Sequence, residues 1–175
     1  MAFELLDKVI VGSGGQSTID FNNIAAVDGA DLKLVISGRT DASGIATEWM
    51  IRVNGSSGAA YSTRSLSGDG SSLPSARNAG NTTFWENLSL AKAGSTTSTF
   101  SNAELYIPNF SQPSSGSFQG AAAAIMSVSE NNAGEAYQGF AGFYRDVDEA
   151  VTSISVFGQA GSLVEHSTAY LYQIS

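Results

Sequence analysis

The sequence contains no cysteine among its 175 residues, and it has one histidine and three prolines. The absence of cysteine excludes disulfide scaffolds, Cys-ligated zinc, iron–sulfur clusters and thiol catalysis. A chain of this length buries roughly two thirds of its unfolded surface, so one domain is stable without such cross-links. We therefore expect a single domain over residues 1–175.

Charge is also scarce, because only 14% of the residues are charged, against roughly 25% in an average globular domain. The 8 basic and 16 acidic residues give a net charge of −8. The basic residues are scattered singly, so no nucleic-acid partner is expected. No stretch of about 18 apolar residues is present, so we expect no membrane span. Residues 1–7 lack a basic start and an apolar stretch, so no signal peptide is predicted.

Short alternating segments separated by Gly, Ser and Asn clusters fill the sequence. In 31–39, Leu32, Leu34 and Ile36 alternate with polar residues, which is typical of a half-buried strand. The same reasoning predicts strands over 8–11, 17–21, 48–54, 61–66, 81–90, 98–108, 118–128, 138–144, 152–157 and 168–174. Asn54-Gly55 is a strong turn signal. Ten or eleven strands with such turns predict an all-β sandwich or barrel.

Four segments are less regular. The four alanines Ala121–Ala124 favour a buried strand over a helix, and 146–150 is compatible with one helical turn. Residues 67–80 are polar and contain a proline, which predicts a loop. Gly12-Ser13-Gly14-Gly15 lacks the lysine and the following helix of a phosphate loop, so we expect a hairpin turn.

No residues with catalytic spacing are evident. His166 has Glu165 beside it, which points to the opposite face of a strand, so a surface histidine is expected. The acidic candidates for a glycosidase pair are scattered singly in sequence: Glu48, Asp69, Glu86, Glu104, Glu130 and Glu135. We expect no enzyme and no cofactor. A structural calcium ion at Asp28–Asp31 or Asp146–Glu149 is an alternative, but acidic turns more often serve only to cap or solvate the chain.

The aromatic residues suggest sugar binding as another function, because exposed aromatic rings stack on sugars. Trp49 and Trp85 are the candidate partner-facing or glycan-facing aromatics, although core packing is the commoner role for a ring in an alternating strand. In Thr83-Phe84-Trp85-Glu86 the two rings point to opposite faces, so we expect one of them to face outward.

Several segments in order resemble a family of small virion structural proteins of tailed, often marine, bacteriophages. They are Glu4-Leu5-Leu6 with Val9 and Val11-Gly12-Ser13-Gly14-Gly15, then Ile19-Asp20-Phe21, 31–40, 51–55 and 61–70, and finally 100–109, 129–132 and 167–172. The resemblance runs along nearly the whole chain. It implies a chain that is made in the host bacterial cytoplasm and located in the virion.

Two hypotheses follow, the first from this resemblance together with the lack of catalytic residues, and the second from the aromatic content and the polar, low-charge loops. The first is a capsid decoration or cement protein with a jelly-roll-like antiparallel β-sandwich of about ten strands. It would dock on the major capsid protein or other virion proteins as a homo-oligomer, with a trimer favoured. The second is a fibre, spike or tail-associated module that binds a host-surface glycan.

Overall fold

The computed structural model describes residues 2–68, 71–111, 119–128, 137–145 and 149–175. Twelve strands and no helix lie in these ranges. The strands are β1 (Phe3–Ile10), β2 (Thr18–Phe21), β3 (Asp31–Gly38), β4 (Ala46–Val53), β5 (Tyr61–Gly68), β6 (Ser75–Thr82), β7 (Trp85–Ala91), β8 (Ser101–Ile107), β9 (Gln119–Val128), β10 (Tyr137–Arg145), β11 (Ile154–Gly158) and β12 (Thr168–Ile174).

The strands form two antiparallel sheets. The large sheet has eight strands in the order β1-β12-β3-β8-β9-β10-β5-β6, and the small sheet has four in the order β2-β11-β4-β7. Neighbours in space are often distant in sequence, as in β1, which pairs with β12 from Phe3↔Ile174 to Ile10↔Thr168. The prediction of an all-β antiparallel sandwich is confirmed.

Alternating burial explains why the sheets stack. In β3 the side chains of Leu32, Leu34 and Ile36 are buried, whereas Lys33 and Val35 between them are half-buried. Buried residues of both sheets form one hydrophobic cluster, which lies between the facing sheets.

Aromatic residues join the two sheets. The rings of Tyr61 on β5 and Trp85 on β7 meet edge to face, with centroids 5.8 Å apart. The Tyr61 hydroxyl accepts a hydrogen bond from the Val53 N–H at 3.1 Å and donates to carbonyl oxygens of Val53 and Ser56 at 3.0 and 3.1 Å. Tyr61 is fully buried, so these bonds satisfy a polar group that would otherwise be costly to bury.

The turn and strand predictions were partly correct. Asn54 and Gly55 have φ values of 53° and 62°, as the predicted turn requires. Ala121–Ala124 lie in β9, as predicted. The Gly15 N–H bonds the Gly12 carbonyl at 3.0 Å in a turn. This turn connects strands of different sheets, so the prediction of a hairpin there was wrong.

The predicted loop 67–80 and the predicted strand 81–90 also need correction. Ser75–Thr82 is strand β6, which lies at the edge of the large sheet. Its mostly polar sequence shows no hydrophobic alternation, so the strand could not be recognised from the sequence pattern. A new strand, β7, begins at Trp85. The predicted helical turn at 146–150 falls largely on 146–148, which lie outside the described residues.

Candidate docking surface

Strand β1 is an edge strand whose apolar side chains are exposed. Phe3 is 59% exposed, Ile10 is 58% exposed, and Leu5 and Leu6 are also exposed. On one edge β1 pairs with β12, and no strand among the described residues pairs with its other edge. An exposed apolar edge strand is a frequent site of association between proteins.

The apolar surface continues from β1 onto the outer side of the large sheet. Because Leu32, Leu34 and Ile36 face the core, Lys33 and Val35 lie on the outer side, and residues paired with them in register share that side. We call the outward apolar residues of four adjacent strands the docking face: Phe3, Leu5, Ile10, Val35, Tyr106, Tyr170 and Tyr172. The four strands span about 500 Å² in projection, with their polar side chains included.

Charges on this side of the sheet balance one another. Two basic residues, Lys8 and Lys33, lie among two acidic ones, Asp31 and Glu104. The Lys33 ammonium is 2.8 Å from the Glu104 carboxylate and 6.0 Å from the centroid of the Phe3 ring. The outer side of these strands therefore carries equal numbers of positive and negative charges. β1 also bears the exposed carboxylates Glu4 and Asp7, which pair in register with the inward residues Gln173 and Leu171.

Tyr106 is fixed on the docking face by a hydrogen bond. Its hydroxyl donates to the Asp31 carboxylate, which also accepts the Asn109 N–H at 2.7 Å. The bond to Asp31 raises the pKa of the Tyr106 phenol, because ionisation would lose the donated proton. Asp31 thus orients a ring that is 39% exposed.

The two tryptophans named as candidates do not contribute to any surface. Trp49 is 0% and Trp85 is 2% exposed, so the prediction that they face a partner or glycan was wrong. Trp49 continues the inward alternation of Ile51 and Val53 on β4, and Trp85 packs on Tyr61. Of the adjacent pair Phe84 and Trp85, the outward residue is Phe84.

Phe84 belongs to a second, smaller aromatic cluster on the outer side of the small sheet. Its ring meets Phe157 edge to face, with centroids 6.2 Å apart, and the Arg52 guanidinium carbon lies 5.3 Å from the Phe157 centroid. The Arg52 Nε–H also donates to the Thr83 carbonyl at 3.2 Å. These residues are half-buried and already contact one another, so they offer less apolar surface than the docking face.

One carboxylate pair that the sequence did not connect is brought together by adjacent strands. Glu48 on β4 accepts the Asn87 N–H at 3.2 Å, and Glu86 on β7 accepts a hydrogen bond from the Asn78 amide. Partial burial raises the pKa of Glu86, and the charge of Glu48 raises it further, while the Asn78 bond opposes the shift. Among the other acidic candidates, Glu104 belongs to the outer side of the large sheet, and Asp69, Glu130 and Glu135 lie outside the described residues.

The candidate histidine and the candidate calcium-binding residues do not form a site among the described residues. His166 is exposed just before β12, with a φ of 73°, as expected of a surface histidine. Within the described ranges no three His, Asp or Glu side chains gather as metal ligands. In the candidate calcium-binding segment 28–31, the Asp31 carboxylate accepts hydrogen bonds from the Tyr106 hydroxyl and the Asn109 N–H. Most of the second calcium candidate, 146–149, is not described.

Comparisons with protein-family models, with curated proteins and with solved structures return no match. A search of the described residues for a helix long and apolar enough to cross a membrane finds none.

Proposed function

We propose that this chain is a non-catalytic structural protein of a bacteriophage virion. It decorates the capsid by docking on the lattice of the major capsid protein, and it does so as a homo-oligomer, with a trimer favoured. The phage-family resemblance in the sequence suggests the virion as the setting.

The docking face is the observation that carries this proposal. It exposes Phe3, Leu5 and Ile10 on β1, at the edge of the sheet, and it continues across the outer side of the neighbouring strands, where tyrosine rings lie. Exposing that much apolar surface is unfavourable in water, and a partner that covers it recovers about 25 cal/mol per Å² of apolar area. The equal numbers of positive and negative charges on the outer side of these strands suit a protein partner.

The strand order supports a jelly-roll version of the sandwich. Without β5, β6, β9 and β10, the strands pair in the orders β1-β12-β3-β8 and β2-β11-β4-β7. These two orders are those expected of the two four-stranded sheets of a jelly roll, an architecture common in viral capsid and lectin domains. The four remaining strands extend the large sheet beyond β8 and leave the docking face at its opposite end.

The glycan-binding alternative for a fibre or spike module loses the two residues that favoured it. With Trp49 and Trp85 in the core, neither indole is available to stack on a sugar. Capsid docking is therefore the function that the described surface supports best.

Adding the purified chain to capsids that lack it tests the proposal. Leu5→Asp places a charge on the β1 edge of the docking face, where Leu5 is 46% exposed, and is expected to weaken capsid binding about tenfold or more. Leu73→Asp is the matched control, because Leu73 is 70% exposed near the opposite edge of the sheet. It should bind like the unmodified chain. Equal capsid binding by both variants, or no binding by the unmodified chain, would count against the proposal.

A further inference from the structure

Two arginines stand directly opposite each other at the edge of the large sheet farthest from β1. Arg64 on β5 pairs in register with Arg77 on β6, and both side chains are exposed. Like charges in such a cross-strand pair destabilise a sheet. Within the described part of the chain no carboxylate forms an ion pair with either guanidinium, although the chain carries 16 acidic residues. An external anion is the group that would relieve this repulsion.

Arg64 is partly committed within the chain. One of its guanidinium nitrogens donates to the carbonyl oxygens of Thr63 and Asn78 at 3.1 and 3.2 Å. Those bonds orient the Arg64 guanidinium on the surface. A guanidinium fork held in this way binds sulfate, phosphate or carboxylate oxygens through two parallel N–H bonds.

The arginines begin a row that crosses the sheet. From strand to strand the paired residues are Arg77, Arg64, Gly142, Ala123 and Tyr106. A glycine inside a strand marks a bulge, a tight bend or a close approach by a ligand or another backbone, and a register shift follows Gly142 between Phe143 and Arg145. In register, Gly142 and Ala123 stand between the basic pair and Tyr106, and the backbones of Arg64 and Tyr106 are three strand spacings, about 14 Å, apart.

The arginine end of this row and the β1 edge face different directions, while Tyr106 at the other end of the row belongs to the docking face. Neighbouring strands rotate by roughly 20–25°, and seven such steps separate β6 from β1. A chain docked through the β1 end therefore leaves the arginine pair open.

We propose that this row binds an anionic polysaccharide, with its sulfate, phosphate or uronate groups on Arg64 and Arg77 and a sugar ring against Tyr106. A sugar polymer fits better than an acidic polypeptide because the row runs across the strands. A polypeptide would gain most by adding along the outer edge of β6, which no described strand covers and where backbone hydrogen bonds are available. The inference concerns the isolated chain and does not depend on capsid docking.

Fluorescence anisotropy with labelled dextran sulfate, and with labelled unsulfated dextran as the neutral control, tests the proposal. We expect binding of the sulfated probe only. Arg64→Gln and Arg77→Gln should each weaken it about tenfold. Lys8→Gln removes one positive charge at the opposite end and should change it less than about threefold at physiological salt. Equal effects of all three substitutions, or binding of unsulfated dextran, would overturn the site.

Two further measurements distinguish a polysaccharide site from damaged folding and from a polypeptide site. The thermal midpoint of Arg77→Gln should equal or exceed that of the unmodified chain, because the like-charge contact is removed. Loss of binding together with a lowered midpoint would point to damaged folding and overturn the assignment. Labelled polyglutamate should bind at least tenfold more weakly than dextran sulfate, whereas equal affinity would make an acidic polypeptide the ligand. Leu5→Asp should keep its affinity for dextran sulfate even where it fails on capsids.

Discussion

At the scale of single residues, Gly38 and Trp49 show how closely the two sheets approach. A Cβ atom at Gly38 of β3 would lie 2.4 Å from the indole Cη2 of Trp49 on β4. The indole therefore occupies the space that a side chain at position 38 would need. This close approach explains why such a large ring is completely buried.

Gly38→Ala is expected to destabilise the fold by about 1–3 kcal/mol, because the rigid ring and the sheet must move apart. Gly14→Ala is the matched control, since no atom lies within 4 Å of a Cβ there. Urea denaturation of both variants measures the difference. Equal stability of the two variants would show that the sheets do not meet at Gly38.

Glu86 should make stability depend on pH. Because its pKa is raised in the folded state, the folded chain holds this proton more tightly than the unfolded chain. The stability that protonated Glu86 contributes is therefore fully present below pH 4.5, the ordinary pKa of a glutamate, and it is lost as the pH rises through the raised pKa of the folded chain.

Glu86→Gln should remove that part of the pH dependence, because the neutral amide neither ionises nor repels Glu48. Unfolding free energies measured between about pH 4 and 8 test this, with exposed Glu165→Gln as the control. A Glu86→Gln profile parallel to that of the unmodified chain would contradict the assigned environment.

Single-residue roles were only partly predictable from the sequence. The alternation of Trp49 with Ile51 and Val53 already placed it on a buried side, and the functional interpretation of the ring was the error. The exposure of Phe3 and Leu5 could not be seen, because an edge strand shows the same apolar residues as a buried one. Glu48 and Glu86 meet only through the pairing of β4 with β7.

At the scale of elements, prediction succeeded where one face of a strand is buried. The predicted 168–174 matches β12, and 31–39 exceeds β3 by one residue. It failed for β6, because the sequence Ser75–Thr82 has no apolar alternation and is held by its ladder to β5.

Arg39 shows how one side chain holds an irregular element. Its guanidinium donates to four backbone carbonyls, those of Ala93, Ser95, Thr96 and Thr99, at 2.7–3.3 Å. The segment 92–100 between β7 and β8 thus depends on a planar fork of donors.

Arg39→Lys is expected to cost about 1–3 kcal/mol, because one ammonium cannot reach all four carbonyls. Hydrogen exchange of the amides in 92–100 should quicken more than exchange elsewhere. Arg77→Lys is the control, since the Arg77 guanidinium has no hydrogen-bond partner among the described residues. Unchanged exchange in this segment after Arg39→Lys would contradict the anchoring role.

At the scale of the whole molecule, the order of strands was beyond the reach of sequence patterns. Alternation fixes the faces of a strand but not its neighbours. The docking face draws residues from Phe3 to Tyr172 and exists only because β1, β12, β3 and β8 lie side by side. The arginine row likewise depends on β5 and β6 extending the sheet at its other end.

The proposed assembly predicts a mass in solution. Light scattering after size-exclusion chromatography should give three times the 18.1 kDa of the chain if the trimer forms without the capsid. A mass of one chain at micromolar concentration would exclude a pre-formed trimer.

The central claim is that this chain is a capsid decoration protein of a phage, and its most direct test is cryo-electron microscopy of the virion in which the chain is proposed to lie. The proposal predicts density for the two-sheet sandwich on the outside of the capsid shell. In that density the β1 end of the large sheet should contact the major capsid protein, and the β5–β6 end should be free. A shell without this chain, or a chain attached through β5 and β6, would contradict it.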